Sequence, residues 1–169
     1  MNADTFRMLF DYNYWAHRRV WDKVAKLSDT QFNRPFDYSI GSVNAQVVHT
    51  MAAEEIWYFR LRGESLAAMR KPEDFETRAE IREKWDLIER NFRAYVANLT
   101  DDDLLKPVTY RTTTGRANHD SLAGILLHVC NHGTDHRAQI LSLLHHLGAE
   151  TVDQDLIAYM REKRAQAAR

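Results

Sequence analysis

The chain reads as an all-α protein, a four-helix bundle with a short additional C-terminal helix. Two observations point there. Only six glycines and three prolines occur in 169 residues, and all but Gly124 and Gly133 fall between periodic segments rather than inside them. Apolar residues recur at helical spacing through four long stretches. A chain of this length holds one well-buried core, so residues 1–169 are expected to form a single domain.

The first helix is expected from about Asp4 to Leu27, with Phe6, Leu9, Phe10, Val20, Trp21, Val24 and Leu27 on one face. A loop, SDTQFNRPFDYSIGS, leads to a second helix from about Val43 to Leu61, stopped by Gly63. The third runs from about Thr77 to Asn98 and carries the stripe Ile81, Trp85, Ile88, Phe92, Val96. The connection TDDDLLKPVTYRTTTGRANHD is too long for a tight turn and reads as a long crossover, with His119 in a loop. The fourth helix runs from about Ser121 to Leu147, capped by Ser121 or Asp120 and stopped by Gly148. A short last helix from about Asp153 carries Leu156, Ile157 and Met160.

Composition excludes several classes of function. A formal net charge of −1 provides no field for nucleic acid or an acidic membrane surface. No apolar run approaches the roughly 20 residues that span a bilayer. The N-terminus lacks the basic start and apolar core of a signal peptide. Cys130 has no partner cysteine for an internal disulfide, which suits a reducing compartment. A cytoplasmic protein is expected.

The informative stretch is HVCNHGTDHRAQI, His128 to Ile140, where three histidines recur at spacing four. At about 100° per residue, His132 and His136 fall within the apolar stripe of Leu122, Ile125, Leu126, Val129, Ile140, Leu143, Leu144 and Leu147. His128 lies at the stripe's edge; Cys130 and Arg137 lie outside it. Two histidines one turn apart, about 6 Å along the axis, reach one ion, whereas three span about 12 Å. His132 and His136 are therefore the pair to expect. His49, in the middle of the second helix's apolar face, supplies a third imidazole, and Ala45, Ala52 and Ala53 leave room around it. Three histidines from two helices match three protein ligands with open positions, the pattern of a catalytic metal.

Asn13 and His17 sit one turn apart inside the first helix's stripe. They are open to four roles: support for the ligands, substrate contact, a fourth ligand in the case of His17, or polar groups satisfied within the bundle. Cys130 turns away from His132 and His136 and reads as a packed thiol. The acidic stretches EDFETRAEIREKWDLIER and DDDLL lack the Glu and ExxH pattern of a di-iron bundle and read as a solvated face and a cap.

LLHVCNHGTDHRAQI resembles the signature of the DinB-like family of metal-dependent enzymes, which usually reads close to LLHVxNHxxxHRGQI. VNAQVVHTMAAEEIWYFRLRGE is similar to that family's second helix, FDYNYWAHRRVWDKVAKLS to its first, and NLTDDDLLKPVTY to the segment before its last long helix. The likeness covers about Phe6 to Gly148. Ala138 stands where glycine is common, and His17 where asparagine is common. The resemblance implies a four-helix bundle binding a divalent metal ion, zinc or nickel, through His49, His132 and His136. It also implies a homodimer, and a small-molecule substrate such as a low-molecular-weight thiol of the bacillithiol or mycothiol type.

A metal held by neutral imidazoles either lowers the pKa of bound water, giving hydrolysis, or binds a thiol as thiolate, giving transfer or isomerisation. The same ligand set also serves a non-catalytic metal-binding or sensor protein. Arg60, one stripe along from His49, is a candidate contact for a thiol substrate. With Asn13, His17 and His128 it makes up the residues expected around the ligands or substrate.

Overall fold

A computed structural model describes residues 1–168. Six α-helices and one hairpin follow in the order α1 (Ala3–Val24), α2 (Asp29–Asn33), α3 (Val43–Leu61), α4 (Arg78–Ala97), β1 (Pro107–Arg111), β2 (Ala117–Ser121), α5 (Leu122–His146) and α6 (Leu156–Ala167). Local chemistry sets the bounds. Asn2, Ser42, Thr77 and Ser121 each accept a backbone N–H of the first turn of the long helix that follows. Gly63 and Gly148 adopt φ of +78° and +67°, which lets the chain leave α3 and α5 at no steric cost.

The four long helices close a ring in which α5 packs on α1 and α3, and α4 packs on the same two. Phe6, Phe10, Met51, Trp85, Phe92, Leu126 and Leu143 fill its centre. Phe10 and Phe92 stack across α1 and α4 with centroids 5.2 Å apart. A separate aromatic cluster of Tyr12, Trp15 and Tyr159 ties α6 to the outer face of α1. Among the described residues, no helix is long and apolar enough to cross a membrane.

The all-α expectation is corrected by a hairpin, and the helix count by a short helix after α1. The long connection before α5 contains an antiparallel hairpin, Pro107 facing Ser121 and Arg111 facing Ala117, and His119 is a strand residue paired with Thr109. Only Val108 and Tyr110 of β1 and Asn118 of β2 are half-buried while the rest of both strands faces solvent, so the alternation is too short to carry a strand signal. The loop after α1 holds α2, built on a capping box between Ser28 and Gln31. α6 begins at Leu156, somewhat later than the sequence suggests.

Candidate metal centre

The α3–α5 seam brings His49, His132 and His136 together: one ring nitrogen from each lies within 4.8 Å of the other two. The His49 ring is 5.3 Å from that of His132 and 4.6 Å from that of His136, centroid to centroid. His136 is buried; His49 and His132 are half-buried and border open space. Tetrahedral coordination at about 2.0–2.1 Å puts nitrogens roughly 3.3 Å apart, so small side-chain rotations close the group on one ion.

The donor chemistry fits a cation. Nδ1 of His136 donates to Oε1 of Gln46 at 2.7 Å, which leaves Nε2 with a free lone pair. Gln46 is itself fixed, donating from Nε2 to Ser39 and Gln139 at 2.8 Å each. Burial lowers the pKa of all three histidines. For His132, burial and the neighbouring imidazoles bring it down to about 4. All three are therefore neutral at pH 7, the form that ligates.

A cavity of about 450 Å³ opens beside His49. Its wall is largely apolar, with Ile40, Ala45, Val48 and Met69, and Arg70 and Lys71 stand at its rim. On the other side, His128 lies one turn from His132, ring centroids 5.6 Å apart, and meets Trp57 edge-on at 5.2 Å. Trp57 in turn packs against Tyr110 of β1. Arg60 lies against both of those rings. His128 stands outside the close group formed by the other three histidines.

Asn13 and His17 face a second cluster, buried at the centre of the ring. Nε2 of His17 and Nδ2 of Asn13 lie 3.1 and 3.2 Å from Oε1 of Glu54, and Trp85 donates to its Oε2 at 2.9 Å. Burial pushes the Glu54 carboxyl up, but His17, Trp85 and Asn13 outweigh it and hold the pKa below the ordinary value. His17 is lowered to about 4, first by burial and then by the Arg137 charge, against the pull of Glu54. A neutral His17 carrying its proton on Nε2 supplies the third donor that ionised Glu54 accepts.

Arg137 completes this cluster and corrects its placement outside the packed face. It is fully buried and donates to Asn13 Oδ1 at 2.6 Å, Gln154 Oε1 at 2.7 Å and Thr134 Oγ1 at 2.9 Å. The helical wheel assigns α5 one buried stripe, but α5 touches both α3 and α1, and its second face meets α1. Gly133 makes that approach possible: a Cβ there would sit 2.6 Å from Asn13 Oδ1. Cys130 is also buried, and burial, followed by the Glu54 charge, pushes its thiol up to about 12. It is a packed, protonated thiol, as the sequence suggests.

Glu54, Gln46, Trp57 and Tyr110 were not anticipated from sequence. Glu54 has a legible trace, since a carboxylate among Ala52, Ala53 and Ile56 on a buried face demands donors. Their source on α1 and α4 is visible only in three dimensions.

A family model for the DinB family matches residues 1–167. Protein DinB of Bacillus subtilis (strain 168) is 25% identical over 157 residues, covering 90% of this chain and 91% of that protein. The fold is similar to that of a DinB-like protein from Bacillus cereus ATCC 10987, with TM-score 0.66 and 15% identity over 90% of this chain and 97% of that one. A conserved protein from Enterococcus faecalis gives TM-score 0.64 and 12% identity over 80% of this chain and 92% of that one. From the match over nearly its whole length, the chain belongs to the DinB family.

Proposed function

We propose that this protein is a metal-dependent enzyme of small-molecule chemistry in which His49, His132 and His136 hold a divalent cation, zinc or nickel. The reaction class is thiol transfer or isomerisation, with a low-molecular-weight thiol as one substrate. The observation that carries the reading is the convergence of three neutral imidazoles within 4.8 Å, without a fourth His, Cys, Asp or Glu in the group among the described residues. A cation bound by three protein ligands supplies Lewis acidity at its remaining positions, where it favours a thiolate or hydroxide at neutral pH.

The surrounding residues support thiol chemistry. Gln46 fixes the His136 ring. The largely apolar cavity beside His49 suits a reactant with hydrocarbon bulk. Cys130, buried and protonated, is not the reacting thiol, so the sulfur comes from substrate.

The test is metal analysis of untagged protein, followed by a panel of small thiols with a chromogenic electrophile. The expected result is one metal per chain and thiol consumption that chelation abolishes. Stoichiometric metal with neither thiol binding nor turnover would leave a metal-binding or sensor protein instead.

A further inference from the structure

Gln46 meets His136 with a side-chain amide, and an amide presents either of two faces. Its carbonyl accepts a proton from Nδ1 and leaves Nε2 free to ligate. Its NH2, turned the same way, would donate to Nδ1 and move the ring proton to Nε2, where it blocks a cation. Either pairing satisfies both side chains, so the choice is made further along. Nε2 of Gln46 lies 2.8 Å from Oε1 of Gln139 and 2.8 Å from Oγ of Ser39. Two facing amides must pair a carbonyl with an NH2, so the orientation of Gln139 decides that of Gln46. Gln139 is decided in turn from both ends. Its Nε2 lies 3.3 Å from Oδ2 of Asp135, one turn back along α5, and a carboxylate offers only acceptors. Its inner atom lies 2.5 Å from Oγ of Ser39, within the range of O–H···O bonds and closer than an N–H donor approaches.

We infer that Asp135 and Gln139 are positioning residues for the metal centre: through Gln46 they hold the His136 proton on Nδ1 and leave the Nε2 lone pair for the cation. The inference rests on His136 being a ligand, as proposed above. Every bond in the series then points one way, from the imidazole N–H through two amides to a carboxylate. Asp135 is exposed and Gln139 half-buried, so neither is there to fill the core. Ser39 ties the same series to the cavity. Among the described residues it is the one non-glycine with positive φ, +51°, a conformation its Cβ disfavours. Hydrogen bonds to Gln46 and Gln139 hold its side chain there, and the next residue, Ile40, lines the cavity beside His49. Strain kept at the residue that bridges the two amides assigns the series to the site rather than to the fold.

The test reads the proton directly. In full-length, metal-free protein with isotope-labelled histidines, the two nitrogen shifts of each ring report its tautomer, and His136 is identified by its absence in His136→Ala. Wild type is expected to carry the His136 proton on Nδ1. Gln139→Leu removes the acceptor that orients Gln46, and Asp135→Ala removes the one that orients Gln139, so both tautomers should appear in each variant. Gln139→Glu keeps an acceptor toward Gln46 and should retain the wild-type form. Zinc affinity, from competition with a chromophoric chelator, is expected to fall about two- to tenfold in Gln139→Leu and Asp135→Ala, following the fraction of ligating tautomer, and to hold in Gln139→Glu. A proton that stays on Nδ1 in Gln139→Leu or in Asp135→Ala, or that leaves it as readily in Gln139→Glu, would overturn the inference. Because the proton is read without metal, that result leaves the histidine site and its thiol chemistry standing. Failure of wild type to bind stoichiometric zinc or nickel would refute the metal reading itself, and this inference with it.

Discussion

Glu54 is the residue on which the interior turns. It is an ionised carboxylate at 2% exposure, and α1, α4 and α5 all supply what keeps it there. Glu54→Ala would strand the indole N–H of Trp85 and leave the Arg137 charge without its compensating anion. A loss of about 3–5 kcal/mol is expected, read as a drop in the denaturant midpoint; a change below about 1 kcal/mol would mean water replaces the carboxylate. Gln46 acts differently, since its one bond to the histidine group sets the ring of His136. Gln46→Leu is expected to keep the fold and weaken metal binding about 10–100-fold in a competition titration with a chromophoric chelator. Unchanged affinity would show that the ring is held by packing alone.

At the scale of elements, α6 rests on α1 through the Tyr12, Trp15 and Tyr159 cluster, outside the ring's own core. Tyr159→Ala should therefore release α6 without disturbing the histidines: amides of Leu156–Ala167 lose hydrogen-exchange protection while metal stoichiometry stays constant. Loss of metal in that variant would mean α6 supports the site from a distance. Elements also show how far the sequence can be read. The end of α3 was legible because Gly63 closes a periodic run, and α1, α4 and α5 ended within a few residues of expectation. The hairpin was not legible, because its inward face is confined to Val108 and Tyr110 of β1 while ANHDS turns almost wholly to solvent. The histidine group was readable for the opposite reason: a spacing of four on one helix and a lone histidine among alanines on another are both local patterns. Arg137 and Glu54 escaped because a helix touching two neighbours has two buried faces, and a wheel shows one.

For the whole molecule, the buried histidines couple stability to pH. His17 and His132 titrate near 4 in the folded chain against an ordinary value of 6.5. Between those values the unfolded chain takes up protons that the folded chain refuses, so stability falls as pH drops from about 6.5 toward 4. The contribution of His17 alone is on the order of 3 kcal/mol. Apo protein is thus expected to lose melting temperature steadily across that window, and His17→Asn, which retains a donor toward Glu54, should flatten the slope. A pH-independent melting temperature between 6.5 and 4.5 would contradict the neutral, buried His17.

The central claim is that three histidines from α3 and α5 bind one divalent cation with positions left open. X-ray absorption on zinc- or nickel-loaded, untagged protein measures it most directly, with wild type, His132→Ala and His128→Ala compared at equal loading. The account predicts one ion per chain with three imidazole nitrogens at about 2.0–2.2 Å plus water or anion, loss of stoichiometric metal in His132→Ala, and full retention in His128→Ala. Four imidazoles on the ion, or equal metal loss in both variants, would contradict it.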